Sequence, residues 1–200
     1  MIKYLVSFKR RHPKLWSLVE CINGGLFRLL YGKVEKVAGS VLEDYYAAGC
    51  TFSVVTAQDL PFLEHFLAGQ DRDNLKWFNP HGFDEATLKR LFRNPSFLMM
   101  KATGPEECIT GYFFLRCFFI GRAFAGLMVD PGWQNLGIGS RMWEAEAAIC
   151  KRLHLRMRAT ISIDNKPSIA SCRNGTDVKE LERLEDGYMA VECKTKLNRV

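Results

Sequence analysis

A glycine-rich segment from Gln134 to Arg141 has the composition of an anion-binding loop. It follows an apolar stretch and a Pro131-Gly132 turn, and a sequence typical of a helix comes directly after it. Gly137 and Gly139 allow the main chain to approach a ligand closely. The first N–H groups of a helix have no partner within the helix, and they lie at the positive end of its dipole. The segment therefore predicts a site for an anion, and phosphate is the anion we expect there.

A strand must lead into this loop and a helix must leave it. The apolar tract from Cys108 to Val129 is long enough to be considered as a membrane helix. Its arginines, Arg116 and Arg122, its aromatic residues and its glycines instead favour two strands that turn near Gly121. The sequence after the loop predicts a helix from Ser140 to about Leu153.

The remaining segments alternate between strand and helix patterns. Strands are predicted at 51–55, 96–102 and 155–161, helices at 60–67, 85–92 and 165–175, and a hairpin at 178–194 around Asp186-Gly187. A polar and aromatic loop, 69–83, joins the first two of these helices. The resulting order, β-α-α-β-β-β-α-β-α-β-β, predicts an α/β (α+β) domain with a mixed central sheet of about seven strands and flanking helices.

Residues 1–48 are predicted to form a basic helical arm ahead of a domain at 49–200. Residues 1–36 hold eight Lys or Arg and two Glu, whereas residues 37–200 hold twenty of each sign. The arm is predicted to be helical with a break at Asn23-Gly24-Gly25. Its apolar and basic residues suit an anchor on an anionic membrane or a partner. The alternative is a helix that packs on its own domain or on a second copy in a homodimer.

Composition argues against several classes of protein. The balanced charge outside the arm argues against a nucleic-acid-binding surface that extends over the domain. The seven cysteines have no CxxC spacing, so we expect free thiols in the cytoplasm and no zinc or other metal site. Glu20 interrupts the first apolar run and no small-residue cleavage site follows, so a secretory signal is not expected.

The order of elements and the loop together resemble the GNAT superfamily of acyl-CoA-dependent N-acetyltransferases. The family pattern, Arg/Gln-x-x-Gly-x-Gly/Ala after a Val-x-Pro, is matched by Gln134, Gly137 and Gly139 after Val129-Asp130-Pro131. A further family feature is an Asn just after the fifth predicted strand, which is matched by Asn165, with Ser168 three residues later. The resemblance covers about residues 51–194 and does not explain the arm.

The resemblance implies acetyl-CoA as the co-substrate and no metal. The residues expected to hold its pyrophosphate are Gln134, Asn135, Leu136, Gly137, Ile138, Gly139, Ser140 and Arg141. The pantetheine arm is expected to enter where the fourth and fifth strands separate and to pair with Leu127, Met128 and Val129. Asn165 and Ser168 are expected to support the same arm.

The resemblance is less direct for catalytic residues. Many relatives have a Tyr seven residues after the Asn as the acid that protonates the leaving thiolate, whereas this chain has Cys172 there. A thiol has a pKa similar to that of the leaving group, so Cys172 is the candidate acid, with packing as its alternative role. His81, in the loop before the second helix of the domain, is the candidate base because histidine titrates near neutrality. Its alternative role is an ordinary hydrogen bond within the loop.

We therefore expect a cytoplasmic N-acetyltransferase that moves acetyl from acetyl-CoA directly to an amine. Three acceptor classes stay open: an amino sugar attached to a nucleotide, suggested by Trp77 and Phe78 in the aromatic loop, a peptide amine, or a small amine. The alternative function is a GNAT-like module that binds acyl-CoA without catalysis. Such a module would dock to a membrane or protein through its arm.

Overall fold

The computed structural model describes the main chain of residues 13–196 and the side chains of residues 18–196. Within these residues, eight strands form one mixed sheet in the order β1-β2-β3-β4-β5-β6-β8-β7, numbered along the chain with the bounds given in the next paragraph, and helices cover both faces. The predicted mixed sheet with flanking helices is confirmed. The sheet has one strand more than expected because Tyr46–Ala47 pairs with the next strand.

The elements have the following bounds. The strands are β1 Tyr46–Ala47, β2 Cys50–Val54, β3 Phe97–Thr103, β4 Ile109–Phe118, β5 Arg122–Val129, β6 Arg156–Ser162, β7 Asp177–Arg183 and β8 Tyr188–Lys194. The helices are α1 Pro13–Tyr31, α2 Val34–Leu42, α3 Leu60–Ala68, α4 Arg72–Leu75, α5 Glu85–Phe92, α6 Ile138–Arg152 and α7 Lys166–Gly175. Two 3₁₀ turns, Ala57–Asp59 and Pro131–Trp133, precede α3 and the glycine-rich loop. The predicted elements from residue 51 onward are thus all present, and α4 lies inside the segment predicted as a loop.

The sheet separates two hydrophobic cores. On one face, α1, α2, α6 and α7 contribute buried residues such as Phe27, Leu42, Met142 and Cys172. On the other face, α3 and α5 contribute Leu63 and Leu88 among others, and the aromatic loop adds Phe78. This arrangement follows from the strand patterns, because alternate residues of a strand face opposite sides of the sheet.

The predicted break in the N-terminal helix at Asn23-Gly24-Gly25 is wrong. Helix α1 runs through all three residues and ends at Tyr31, before Gly32 with φ +68°. The buried Asn23 side chain donates from Nδ2 to Ser96 Oγ and to the Cys117 carbonyl, both at 2.9 Å. A Cβ at Gly24 would lie 2.9 Å from Asn94 Oδ1, so glycine permits the helix to pack this closely. These residues therefore anchor the helix instead of ending it.

Leu26, Leu30 and Val34 follow one another at helical spacing but do not form one continuous buried stripe. Val34 is buried, whereas 38% of Leu26 and 62% of Leu30 are exposed. The turn at Gly32 separates the two helices, so the stripe of one does not continue into the other. The predicted boundary near residue 48 falls in the tight turn that joins β1 to β2. Among residues 13–196, no helix is both long and apolar enough to cross a bilayer.

Candidate active site

The parallel strands β5 and β6 pair at one end and separate at the other. Three residue pairs join them, and the last of these is Phe124 with Arg158. Strand β5 then continues to Val129 and β6 to Ser162 with no further pairing between them. The strands therefore leave a wedge-shaped opening between them, which confirms the separation that the resemblance implied.

Main-chain groups of β5 point into this opening. The Asp130 N–H donates to the Thr110 carbonyl, on the β4 side, at 2.9 Å. Because successive residues of a strand alternate in direction, the N–H and C=O groups of Leu127 and Val129 point the opposite way. These residues therefore present donors to an extended ligand in the opening. The Met128 side chain packs into the core on the α3 and α5 face.

The Val129 carbonyl at the mouth of the opening already has two partners. It accepts from Asn74 Nδ2 at 3.2 Å and from Gln134 Nε2 at 3.1 Å. Gln134 Nε2 also donates to Asn74 Oδ1, and Gln70 Nε2 donates to Asp130 Oδ2. Polar side chains around α4 thus hold the start of the glycine-rich loop against β5.

Sequence reasoning missed Gln70 and Asn74, which lie in the segment predicted as a loop. One signal was available, because Asp71 is a good helix N-cap and its Oδ1 accepts from the Asn74 N–H at 2.7 Å. Nothing local in the sequence indicated that these side chains would reach Val129, which is 55 residues away from Asn74.

The glycine-rich loop itself is open to solvent. Residues 134–137 are exposed, and Asn135 and Gly137 have positive φ values of +62° and +82°. Gly137 is the N-cap of α6, so the N–H groups of Ile138, Gly139 and Ser140 belong to the first helical turn and have no partner in the helix. No atom lies within 4 Å of a Cβ built on Gly137. The loop thus presents main-chain donors and the positive end of a helix to an anion.

Helices α6 and α7 come into close contact at Gly139 and Ser140 of α6. A Cβ on Gly139 would lie 3.6 Å from Ser171 Cβ and 3.7 Å from a methyl group of Val129. Trp143 Nε1 donates to Ser171 Oγ at 3.2 Å. Ser171 was not a predicted site residue, and the structure places it beside the first turn of α6.

Two predicted binding side chains are engaged with protein groups. Arg141 pairs with Glu144 through Nη1 and lies over the ring of Tyr45 at 4.9 Å from its centroid. Asn165 is the N-cap of α7, where its Oδ1 accepts from the Ser168 N–H at 3.1 Å. Asn165 therefore positions the helix at the open end of β6, and a direct contact with the co-substrate stays a prediction for both residues.

His81 is buried among aromatic rings. Its Nδ1 lies 2.8 Å from the Gly82 carbonyl and its Nε2 lies 3.0 Å from the Tyr112 hydroxyl. Because a carbonyl only accepts, Nδ1 donates and Nε2 accepts from Tyr112. Burial raises the pKa of Tyr112, which keeps this donor protonated. Both ring nitrogens of the candidate base are therefore occupied in this conformation.

Cys172 is buried between α7 and the sheet. Its Sγ lies 3.6 Å from Cys193 Sγ and 3.7 Å from Thr176 Oγ1. The contact with the Cys193 thiol lowers the pKa of Cys172, and the same contact together with burial raises the pKa of Cys193. Cys172 also lines a cavity of about 60 Å³ with Ile161 and Met189, from β6 and β8. The role of Cys172 as the acid that protonates the leaving thiolate stays a prediction.

No group of three or more His, Cys, Asp or Glu side chains is placed to hold a metal ion within the described part of the chain. The open wedge and the glycine-rich loop are the features that a co-substrate could use.

A family profile supports this interpretation of the site. The sequence profile of the Acetyltransferase (GNAT) family matches residues 64–175, a range that includes the aromatic loop, β5, the glycine-rich loop and all of α7. Among curated proteins, none matches this sequence.

Solved structures of GNAT acetyltransferases share the fold. The GNAT domain of S. lividans PAT has 15% identity and a TM-score of 0.62, and the match covers 72% of this chain and 89% of that one. Spermidine N-acetyltransferase from Vibrio cholerae, in complex with CoA and spermine, has 15% identity and a TM-score of 0.60, and the match covers 73% of this chain and 94% of that one. Aminoglycoside acetyltransferase AAC(6')-Ib, in complex with coenzyme A and kanamycin, has 13% identity and a TM-score of 0.57, and the match covers 74% of this chain and 95% of that one.

Proposed function

The chain belongs to the GNAT family of acetyltransferases, whose co-substrate is acetyl-CoA, and from this premise we propose that it transfers acetyl directly to the amine of a small molecule. The wedge between β5 and β6, with the exposed loop 134–137 at its mouth, is the observation that carries the proposal. The N–H groups from Gln134 to Ser140 bind the pyrophosphate, and the pantetheine arm runs into the wedge along Leu127 and Val129.

The reaction needs three events at the closed part of the wedge. The amine nitrogen attacks the thioester carbonyl, and a main-chain N–H of β5 stabilises the resulting oxyanion. The C–S bond then breaks as the amide forms, so that CoA leaves as a thiolate. The amine loses one proton to a base, proposed as His81 or a chain of waters, and the thiolate gains one from an acid, proposed as Cys172.

The acceptor is proposed to be a small-molecule amine, with an amino sugar attached to a nucleotide as the first choice. The GNAT structures that contain spermine and kanamycin support a small amine acceptor in this fold. Trp77, one of the two residues that suggested an amino sugar, is half-buried in the aromatic loop. The Nζ atom of Lys76 lies 4.6 Å from the centroid of the Trp77 ring. A peptide amine is the remaining alternative.

Calorimetry with acetyl-CoA and a CoA-release assay over a panel of amines test this function. The panel should include polyamines, amino sugars, nucleotide-linked amino sugars and peptides. We expect acetyl-CoA to bind and at least one amine to release CoA. Tight binding with no turnover on any class of amine would instead support the alternative function, a module that binds acyl-CoA without catalysis.

The roles of His81 and Cys172 are tested by His81→Gln and Cys172→Ala. As base or acid, each side chain should contribute about 10²–10⁴-fold to kcat, with acetyl-CoA affinity unchanged. His81→Gln should also remove the acidic limb of the pH profile of kcat/KM. A lower melting temperature with unchanged kcat would show that the residue only packs in the core.

We further propose that α1 contacts an anionic membrane surface. One side of the helix exposes large apolar side chains next to the turn between β4 and β5: Leu18, Val19, Ile22, Leu26, Leu29 and Leu30, with Phe119 and Ile120. The turn lies against α1, since the Phe119 N–H donates to Asn23 Oδ1 at 3.2 Å. The excess positive charge in residues 1–36 complements anionic lipid.

Vesicle flotation tests this contact. The full chain should bind phosphatidylcholine vesicles that contain phosphatidylglycerol and bind pure phosphatidylcholine weakly. The double variant Leu29→Gln/Leu30→Gln should lose binding, because 80% and 62% of these side chains are exposed, whereas Leu181→Gln on β7 should keep it. If neither vesicle binds and the double variant abolishes a dimer in ultracentrifugation, the face is a homodimer contact instead.

A cytoplasmic location is the last part of the proposal. All seven cysteines are free thiols in the structure, including the neighbouring pair Cys172 and Cys193. Free thiols are typical of a reducing compartment and support this location. Fractionation of cells that produce the protein, with and without the Leu29→Gln/Leu30→Gln change, tests it together with the membrane contact.

A further inference from the structure

Three arginines lie together at the N-terminal ends of β5 and β6: Arg122, Arg156 and Arg158. Ala123 and Met157, which pair with each other, belong to the core beneath α6 and α7. The arginines, which alternate with these residues, therefore face the opposite side of the sheet. The helices of that side contribute to a core over β3 and β4, and Arg156 and Thr160 on β6 remain exposed.

The arginine group has too few acidic partners. Arg122 and Arg156 stand directly opposite each other on neighbouring strands, an arrangement of like charges that destabilises a sheet. Within the described residues, the ion pairs of this region all go to Glu192, which lies 3.8 Å from Arg158 Nε and 3.9 Å from Lys194 Nζ. The Nε atoms of Arg122 and Arg158 are shielded from solvent and have no hydrogen-bond partner in the described part of the chain. An anion would remove both the repulsion and the unsatisfied donors.

The group also lies at the closed end of the wedge. Arg158 pairs with Phe124, the last residue of β5 before the strands separate. Under the proposed function, the pyrophosphate binds at the open end, so the pantetheine arm directs the thioester toward this closed end. The ring of Phe124 packs at 5.8 Å, edge to face, on Phe118, which adds an apolar surface beside the arginines.

We propose that Arg122, Arg156 and Arg158 bind an anionic group of the acceptor, a phosphate or diphosphate, while its amine reaches the thioester. This inference rests on the proposed function. A guanidinium presents two parallel N–H donors that match a phosphate, and Phe124 packs against the part of the acceptor that joins the two ends. Arg158 is level with Phe124, two or three strand positions before Gly126 and Leu127, so an anionic group held by Arg158 lies about 7–10 Å from the acceptor's amine. Arg122 and Arg156 lie two positions further away on the same side.

The first test is anion binding to the protein saturated with CoA, so that the glycine-rich loop is filled. Calorimetry with inorganic pyrophosphate should show one further site. Arg122→Gln and Arg158→Gln should each weaken this binding by at least about tenfold, a loss typical of one charged contact. Arg152→Gln, which removes an equal charge from an exposed position at the end of α6, should leave it unchanged. Absence of a site in the wild type, or equal affinity in all three variants, would overturn the proposal.

The second test compares 5-aminopentanol with 5-aminopentyl phosphate as acceptors. We expect the phosphate to have the higher kcat/KM, and Arg158→Gln should abolish this preference. Equal kcat/KM values for the two amines in the wild type would count against the arginine site. Failure of acetyl-CoA to bind the wild type would count against the proposed function instead, so the two failures are distinguishable.

Discussion

Gly137 and Gly187 have nearly the same positive φ value at two sites with different chemistry. Their φ values are +82° and +80°, and neither has an atom within 4 Å of a built Cβ. An L-residue in this left-handed region costs roughly 1–2 kcal/mol, so replacement should strain both positions equally. Gly137 lies at the mouth of the wedge and Gly187 in the turn between β7 and β8, which makes them a matched pair.

Gly137→Trp should therefore weaken acetyl-CoA binding by at least about 100-fold, equivalent to about 2.7 kcal/mol. The indole would occupy the space in front of the first N–H groups of α6. Gly137→Trp and Gly187→Trp should lower the melting temperature by similar amounts, because the strain at the two positions is equal. Gly187→Trp should leave acetyl-CoA affinity unchanged. Calorimetry and thermal unfolding measure the two effects, and a folded Gly137→Trp protein with wild-type affinity would contradict the assignment of the loop.

Glu146 is a buried acid that the sequence analysis did not identify. It lies on α6 fully buried, and its carboxylate oxygens form no hydrogen bond of good geometry among the described residues. The main chain of Phe114 interacts with the carboxylate and partly offsets the effect of burial on its pKa. Burial, together with the neighbouring Cys172 thiol, raises the pKa of Glu146 well above its usual value. The folded protein therefore holds this proton more tightly than the unfolded chain does. Its contribution to stability is fully present in acid and is lost as the pH rises toward the raised pKa.

Glu146→Met should make the protein more stable at pH 8 and reduce the fall in melting temperature between pH 5 and pH 8. Leaving a buried polar group without a partner costs about 1–3 kcal/mol. Because 1 kcal/mol moves the melting temperature of a domain of this size by about 2–4 °C, the gain should be several degrees. Glu35→Met on the exposed side of α2 is the control for the change in net charge. An identical pH dependence in the wild type and Glu146→Met would contradict the raised pKa.

Helix α1 shows how one polar residue can attach an element to a sheet. Asn23 donates to Ser96 and to Cys117, and it accepts from the Phe119 N–H. These contacts satisfy the Cys117 carbonyl, in the last residues of β4, and the Phe119 N–H just after the strand. The sequence suggested a turn at this point, because Asn and Gly favour turns when only local preferences are considered.

Asn23→Ala should lower the free energy of unfolding by about 1–3 kcal/mol, because it leaves the Cys117 carbonyl and the Phe119 N–H without their partner. Asn174→Ala replaces an exposed Asn in α7 and should have little effect. Urea unfolding of both variants measures the difference. Equal stability of Asn23→Ala and the wild type would show that the helix is held by its apolar contacts alone.

The first two helices belong to the same core as the acetyltransferase elements. Phe27, Val34, Ala38 and Leu42 are almost completely buried, and they pack in one cluster with residues of α6 and the sheet. The division of the chain into an arm at 1–48 and a domain at 49–200 stays a prediction. Because this burial crosses the boundary, we predict that residues 49–200 fold poorly without residues 1–48.

Removal of residues 1–46 should therefore leave a protein without a cooperative thermal transition. Loss of one buried Phe or Leu side chain typically costs about 2–5 kcal/mol, and several such losses together exceed a typical total stability of about 5–15 kcal/mol. The full-length Leu29→Gln/Leu30→Gln variant, changed only at exposed positions of α1, should melt like the wild type. A truncated protein with a sharp transition and wild-type acetyl-CoA affinity would show that the domain folds independently.

The sequence by itself determined the features that depend on neighbouring residues. Alternating apolar residues specify strands, Asp71, Asp84 and Asn165 cap helices within three residues, and Gly137 supplies the positive φ of the loop. These local rules were sufficient for the order of elements from residue 51, except α4, and for the glycine-rich loop, whose residues carry the resemblance to the family.

Only the tertiary structure decided which distant residues meet. The closure of β5 on β6 at Phe124, the burial of His81 against Tyr112 and the grouping of Arg122 with Arg156 depend on strand register and on the packing of separate segments. Asn23 reaches partners 73 and 94 residues away, so no local pattern could place it. Local conformational preference acts over a few residues. The burial of a side chain and the charges around it depend on the distant segments that pack against it in the completed fold.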